Sequence, residues 1–424
     1  VSDPSHGVVA FYGDDFTGSV DALLQFARRG WSGRLFTTLP DAETLARAAS
    51  EVDVVGVAGI SRSLGPAEMD AELRPVLEAF AALQPTLVQY KACSTADSAP
   101  DVGSLGRVVE LGREVFGERT VPMLFAQPDF GRYTVFGQHF AAERGTVHRL
   151  DRQPTMSQHP TTPMTEADLA VHIGRQTDAA IGAVSLPEYD DLPQRLQASS
   201  MAGVVLDALT DDDLEAVGRA LQQLPPPVFA IGSGGLSHGV AAASPGTAPS
   251  IPAATATDQA VLVVSGSRSA QTRRQADAAS AAGWLVAPLA LDGTTATPAV
   301  IEALRAGRGV VLTSDDADTG SAAGRPVLEA IADASASVIA AAVRAGVSRR
   351  VIVCGGDTSS RVTRLLGVDA LSIAANPWGN VVILRAHSRD ASIDGLELLL
   401  KGGQVGADTL FTDVSDLGSS PVSR

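Results

Sequence analysis

The sequence predicts a two-domain α/β protein in which each domain is a largely parallel sheet flanked by helices. Three observations lead there. Apolar runs of strand length recur along the 424 residues and stop at glycine, serine or a charged side chain. Segments with helical spacing separate them, so successive strands are joined by crossovers and run parallel. Residues 244–258, rich in Ala, Ser, Thr and Pro and without periodicity, read as a linker between domains 1–243 and 259–424.

The opening strand is Val8-Val9-Ala10-Phe11-Tyr12-Gly13. Asp14, Asp15 and Thr17 follow, then Val20, Leu23, Leu24 and Ala27 at helical spacing. Residues 52–60 are the next apolar run, ending in Ser61-Arg62-Ser63, with Pro66 opening a helix. Residues 86–90 end at Lys91, and residues 121–126 lead into the turn-rich Pro128-Asp129-Phe130-Gly131-Arg132. The polar, proline-containing stretch 151–163 reads as a long excursion, and Thr165-Glu166-Ala167-Asp168 as a capping box. Strands follow near 204–206 and 228–231, the latter entering Gly232-Ser233-Gly234-Gly235. In the second domain, 261–264 enters Ser265-Gly266-Ser267 and 310–312 enters Thr313-Ser314-Asp315. Residues 351–354 enter Gly355-Gly356-Asp357-Thr358, and 381–384 are a further strand. Lys401-Gly402-Gly403-Gln404-Val405-Gly406 closes the folded part, and the Ser-rich tail from Asp413 is expected to fray.

A net charge of −16 repels a phosphate backbone and argues against nucleic acid as a partner, while leaving room for a small anion on clustered cations and backbone N–H groups. Two cysteines, Cys93 and Cys354, suit a reduced, cytoplasmic protein. No stretch is long enough to cross a bilayer, and the N-terminus shows no signal-peptide pattern. A homodimer is the expected assembly.

In an open α/β sheet, ligands sit beyond the carboxyl ends of the strands, which is where Asp14 and Asp15 fall. The doublet reads either as a general base with a second ligating carboxylate, or as a helix N-cap, which needs only one of the two. Arg62, Lys91 and Arg132 each stand just past a strand. Together they would hold an anionic substrate; singly, each reads as a surface ion pair. Ser265-Gly266-Ser267 and Gly355-Gly356-Asp357-Thr358 are glycine-rich turns before helices, and with Lys401-Gly402-Gly403 they suggest a polyphosphate site rather than ordinary turns. No Walker A pattern is present. His139, His148, His159, His172, His238 and His387 lack zinc-like spacing and read mainly as structural.

The ordered set of motifs resembles the four-carbon acid sugar kinases. Gly13-Asp14-Asp15-Phe16-Thr17-Gly18 is similar to their Asp-Asp-Leu-Thr-Gly signature. Tyr90-Lys91-Ala92-Cys93-Ser94-Thr95, Gly131-Arg132-Tyr133-Thr134 and 151–157 resemble their first domain; Ser265-Gly266-Ser267, Gly355-Gly356-Asp357-Thr358-Ser359 and 400–406 resemble their second. The resemblance implies a first domain for a sugar acid, a second for ATP, and a reaction in the cleft between them. The implied product is a sugar acid phosphorylated on a terminal hydroxyl, the acid being threonate, erythronate, 3-oxo-tetronate or the branched 3-oxo-isoapionate. It places Asp14 and Asp15 as catalytic, and Thr17, Arg62, Lys91, Ser94 and Arg132 around the acid, with Asp97 and Arg107, where the chain departs from the family's pattern, as further candidates there. Ser265, Gly266, Ser267, Gly355, Gly356, Asp357, Thr358, Lys401, Gly402 and Gly403 fall around ATP, with Asp357 toward Mg²⁺. Two departures stand out. In a loop where many members carry Lys-x-Asp-Ser-Thr-x-Arg-Gly, this chain has Cys93 for the aspartate and Asp97 for the arginine, and Arg107 is the candidate replacement cation. After Ile373 the loop is the compact Asn376-Pro377-Trp378-Gly379-Asn380. Two rival readings are a sugar-acid-binding protein without catalysis and a nicotinamide dehydrogenase, the latter lacking Gly-x-Gly-x-x-Gly after the first strand.

Overall fold

The computed structural model describes residues 7–255, 257, 259–291, 297–315, 326–379 and 381–417. The chain forms two compact units, Val1–Ser250 and Ile251–Arg424.

In the first unit, β1 (Val9–Gly13), α1 (Phe16–Ala27), β2 (Gly33–Phe36), α2 (Ala42–Glu51), β3 (Val54–Ala58), α3 (Pro66–Ala82), β4 (Leu87–Lys91), α4 (Leu105–Phe116) and β5 (Val121–Leu124) alternate. Then β6 (Arg132–Val135), β7 (Gln138–Glu143) and β8 (Thr146–Arg149) form a separate antiparallel sheet. The chain returns through α5 (Leu169–Gly174), β9 (Ile181–Val184), α6 (Leu192–Ala198), β10 (Gly203–Leu206), α7 (Asp211–Leu221), β11 (Val228–Gly232) and α8 (Gly234–Ala243). The main sheet has the order β2-β3-β1-β4-β11-β5-β10-β9, parallel throughout. Its central strands β1, β3, β4 and β11 are buried along their whole length, as a sheet covered on both faces demands.

The second unit runs β12 (Leu262–Ser265), α9 (Ala270–Ala281), β13 (Leu285–Pro288), α10 (Thr297–Arg305), β14 (Val310–Thr313), α11 (Val327–Arg344), β15 (Arg350–Cys354), α12 (Gly356–Leu365), β16 (Ala370–Trp378), β17 (Val381–His387), β18 (Glu397–Lys401) and α13 (Leu410–Asp416). Strands β13-β14-β12-β15-β18 are parallel, and β17 runs antiparallel to both β18 and β16. Val261, Val263, Ile352, Leu399 and Phe411 belong to one core cluster.

Several expectations are corrected. The tail does not fray at Asp413: α13 continues to Asp416, with Leu410, Phe411 and Val414 in the core. Arg350 fixes its end, donating to the carbonyls of Val414 and Leu417 at 3.1 and 3.3 Å while pairing with Glu397. Residues 418–424 and Asn380 lie outside the described residues. The cap of α5 is Asp168, whose Oδ1 accepts from the amides of Ala170 and Val171, rather than Thr165. β2, α2, the β6–β8 sheet, β9, β13 and β16 are additional to the sequence reading.

Candidate active site

β1 ends at Gly13, in register with Ala58 of β3 and Lys91 of β4. It lies between those two strands, where a doubly wound sheet opens a crevice beyond its strand ends. Asp14 follows at once and is buried. Asp15 caps α1, its Oδ1 accepting from the Gly18 amide at 2.7 Å. Arg62, from the short turn after β3, joins the two. Its Nε and Nη2 donate to the Asp14 carboxylate oxygens at 3.0 and 2.7 Å, and Nη1 donates to Asp15 Oδ2 at 2.9 Å. This two-point fork is the strong form of an arginine–carboxylate pair. Burial pushes the Asp14 carboxyl above its usual range, against the pull of Arg62.

The division of the doublet into one cap and one reactive group takes an unexpected form. Asp15 is both the cap and the accessible carboxylate, with 33% of its side chain exposed, whereas Asp14 is the buried anchor of Arg62. Arg62 thus spends three of its five N–H donors on the two carboxylates.

Lys91 is the better-placed cation. Its side chain is 3% exposed; Nζ donates to Ala92 O at 3.0 Å and stands 3.7 Å from Asp21 Oδ2. An ammonium has three donors, so capacity is left for an anion. Gly18 allows this gathering: a Cβ there would come within 2.5 Å of Asp15 Oδ1 and 3.2 Å of Lys91 Nζ. Thr17 is exposed in the first turn of α1. Asp21, held by Gln25 Nε2 at 3.1 Å and Gln127 Nε2 at 3.3 Å, is a site residue that sequence reasoning missed. Its signal was the spacing from Gly18, which puts both on one face of α1.

The loop after β4 borders this cluster. The Arg62 charge acts on the Cys93 thiol, yet burial and Asp97 push that thiol up to about 11. Cys93 Sγ lies 3.0 Å from Thr95 Oγ1, which donates to Asp97 Oδ1 at 2.5 Å. Cys93 is thus a protonated thiol at the end of a hydroxyl–carboxylate chain. Ser94 is buried beside it. Arg107, the candidate replacement cation, lies in α4 among acidic side chains. It is held by Asp70 at 2.7 Å, Glu110 at 2.8 Å and Glu114 at 3.0 Å, so its charge is already met. Arg132 donates to the carbonyls of Phe130 and Ala142, bracing the turn into β6.

In the second unit the register brings the glycine turns side by side, Ser265 opposite Cys354 and Cys354 opposite Lys401. The Gly266 amide donates to Cys354 O at 3.0 Å and the Gly355 amide to Lys401 O at 2.9 Å. The turns close on Thr358: a Cβ on Gly266 would come within 2.1 Å of its Oγ1. Gly355, at φ +110°, is a conformation that side chains disfavour. The Ser267 amide donates to Ser265 Oγ at 3.2 Å, and Gly403 O accepts from Thr272 Oγ1 at 3.0 Å, tying 400–406 to the start of α9. Lys401 Nζ donates to the same Thr272 hydroxyl at 3.0 Å, and burial lowers the lysine's pKa. Gly402 follows Lys401 in this last turn. α12 begins at Gly356 with no side-chain cap, so its first amides have neither an intrahelical nor a side-chain partner, the arrangement that favours an anion. Asp357 is exposed in that first turn. Among the described residues no group of three His, Cys, Asp or Glu side chains could hold a metal. Thr272 and Ser269, which caps α9, were missed; the Ser-x-x-Thr spacing was their signal.

The first unit thus has a charged cluster suited to a hydroxy acid and the second a backbone cradle suited to phosphates, the division of a two-domain small-molecule kinase. A sugar-binding N-terminal domain model matches residues 9–240, and a nucleotide-binding C-terminal domain model matches residues 262–411. The chain belongs to the four-carbon acid sugar kinase family. It is 39% identical to a 3-oxo-isoapionate kinase of Paraburkholderia graminis, over 96% of this chain and 94% of that one. It is 30% identical to a 3-oxo-tetronate kinase of Methylobacterium radiotolerans, over 95% and 97%. A solved Haemophilus influenzae structure shares the fold with a TM-score of 0.75 at 22% identity, covering 96% of this chain and 100% of that one. No helix among the described residues is long and apolar enough to cross a membrane.

Proposed function

We propose that the chain transfers the γ-phosphate of ATP to a terminal hydroxyl of a branched 3-oxo sugar acid of the 3-oxo-isoapionate type. The observation that carries the kinase reading is the Asp14–Arg62–Asp15 cluster beside Lys91, in one chain with a second unit whose glycine turn opens α12 with no side-chain cap. The choice of acid rests on the Paraburkholderia relative. Phosphoryl transfer needs positioning and charge neutralisation more than covalent chemistry. Asp15, the exposed carboxylate, orients the terminal hydroxyl and accepts its proton. Asp14 fixes Arg62, and Arg62 holds Asp15 in place. Lys91 meets the acid's carboxylate, with Asp21 and Ser94 toward its hydroxyls.

The turns at Ser265–Ser267 and Gly355–Thr358 hold the phosphates through backbone N–H groups, with Lys401, Gly402 and Gly403 at the edge. Asp357 would hold Mg²⁺ directly or through water, a single carboxylate sufficing when phosphates supply other ligands. When bound, the ion neutralises charge developing on the phosphates. A coupled ADP-release screen over four- and five-carbon sugar acids, linear and branched, with and without a 3-oxo group, tests the proposal. The expected result is MgATP-dependent turnover with the highest kcat/KM on the branched 3-oxo acid. Stabilisation by an acid alone, with no ADP release from any of them, would support the binding-protein reading instead.

A further inference from the structure

The loop from Cys93 to Ser98 borders the carboxylate–arginine cluster through Cys93, and it is held from outside the parallel sheet by two imidazoles. His139, on β7 of the antiparallel sheet, is wholly buried. Its Nε2 lies 2.8 Å from Ser94 O, and its Nδ1 lies 2.9 Å from Thr134 Oγ1. A carbonyl oxygen only accepts, so Nε2 carries the proton and Nδ1 accepts from the threonine hydroxyl. His172, on α5, has its Nε2 2.9 Å from Ser98 Oγ. The same serine hydroxyl donates to Ala96 O at 2.9 Å. Gln176 completes this side, its Nε2 donating to Ser98 Oγ at 2.9 Å and its Oε1 accepting from the Leu105 amide at 2.8 Å.

Between the two contacts, Ala96 sits at φ +51° with its side chain fully buried. A left-handed alanine is costly and persists only where its surroundings over-determine it. Here those surroundings are the two histidine contacts and the Ser98 bridge. The loop's conformation is therefore imposed by the inserted sheet and α5 rather than chosen by its own sequence.

We propose that His139 and His172 are positioning residues for the sugar acid: from the antiparallel sheet and from α5 they set the shape of the loop 93–98 that presents Cys93, Ser94 and Thr95 to it. This rests on the first unit being the sugar-acid site. Neither histidine touches the reacting atoms. Their effect is on where the loop's hydroxyls and thiol stand, and small displacements of such groups weaken substrate placement strongly.

The test is steady-state kinetics on the full chain, varying ATP and the best sugar acid separately for the wild type, His139→Gln, His139→Leu and His172→Leu. His139→Leu and His172→Leu should raise KM for the acid on the order of tenfold or more while leaving KM for ATP within about twofold. His139→Gln keeps an N–H for Ser94 O and an oxygen for Thr134, and should restore most of the acid's KM. Should a leucine variant fail to fold, Ser98→Ala, which cuts the His172 link together with the bonds to Ala96 and Gln176 and leaves His139 in place, should show the same split more weakly. A melting temperature that falls while both KM values stay at wild type would mean the histidines are only structural and overturn the inference. So would equal rises in both KM values. A wild-type protein with no turnover on any sugar acid would refute the underlying kinase reading instead, so the two failures are distinguishable.

Discussion

On the proposed function, the two units meet their anions by different chemistry. In the first, side chains do the holding: Asp14, Asp15 and Arg62 form a closed set of ion pairs, and Lys91 and Asp21 stand beside it. In the second, backbone amides and small hydroxyls dominate, with the buried Lys401 as the cation of its strand-end turns. The contrast suits the proposed ligands. A hydroxy acid must be read at one end and deprotonated at the other, which needs directional groups of fixed charge. A polyphosphate spreads its charge over many oxygens and is matched by helix N-termini and glycine turns that come close to it.

Asp15→Asn should cut turnover by about 10²–10⁴, the range of general-base contributions, while shifting the melting temperature little, because asparagine caps a helix as well as aspartate. ADP release and thermal unfolding measured side by side separate the two roles of Asp15. Wild-type turnover would remove the base from that position. Arg62→Met leaves Asp14 buried without its fork and should cost roughly 3–5 kcal/mol in a denaturant titration, as breaking a buried pair does.

In the second unit, Gly266→Ala drives a methyl toward Thr358 and should raise KM for ATP on the order of tenfold with little change for the acid, a backbone cradle being intolerant of added bulk. The smallest effect is a pH dependence of stability. Burial lowers both His139 and His172 from 6.5 to about 4, so the folded state prefers the neutral rings. Their contribution is complete above pH 6.5 and drains away as pH falls toward about 4. A melting-temperature profile should be flatter over that window in His139→Gln than in the wild type.

Much of this was legible in the sequence because buried parallel strands announce themselves as apolar runs with functional residues at their ends. Asp14, Lys91, Ser265 and Gly355 all stand at or just past such ends. What was hidden was structure without that signature. β6, β7 and β8 break up their apolar residues with Arg, Gln, His and Glu and so form no continuous apolar run. β2 has only four residues and opens on glycine and arginine. Side-chain partnerships were the second blind spot. Arg62 and Arg107 look alike in the sequence as candidate cations for the acid, yet one is folded onto Asp14 and Asp15 and the other onto Asp70, Glu110 and Glu114. Only three-dimensional proximity tells them apart. His139 and His172 were read as structural for the same reason: their partners, Ser94 and Ser98, lie 45 and 74 residues away along the chain.

The central claim is that the first unit holds the acid and the second the nucleotide. Calorimetric titration of the intact protein with each ligand separately tests it most directly, comparing Lys91→Met with Gly266→Ala. The account requires a crossed result: Lys91→Met loses affinity for the sugar acid and keeps it for MgATP, and Gly266→Ala does the reverse. Either variant weakening both ligands equally, or Lys91→Met weakening only MgATP, would contradict it.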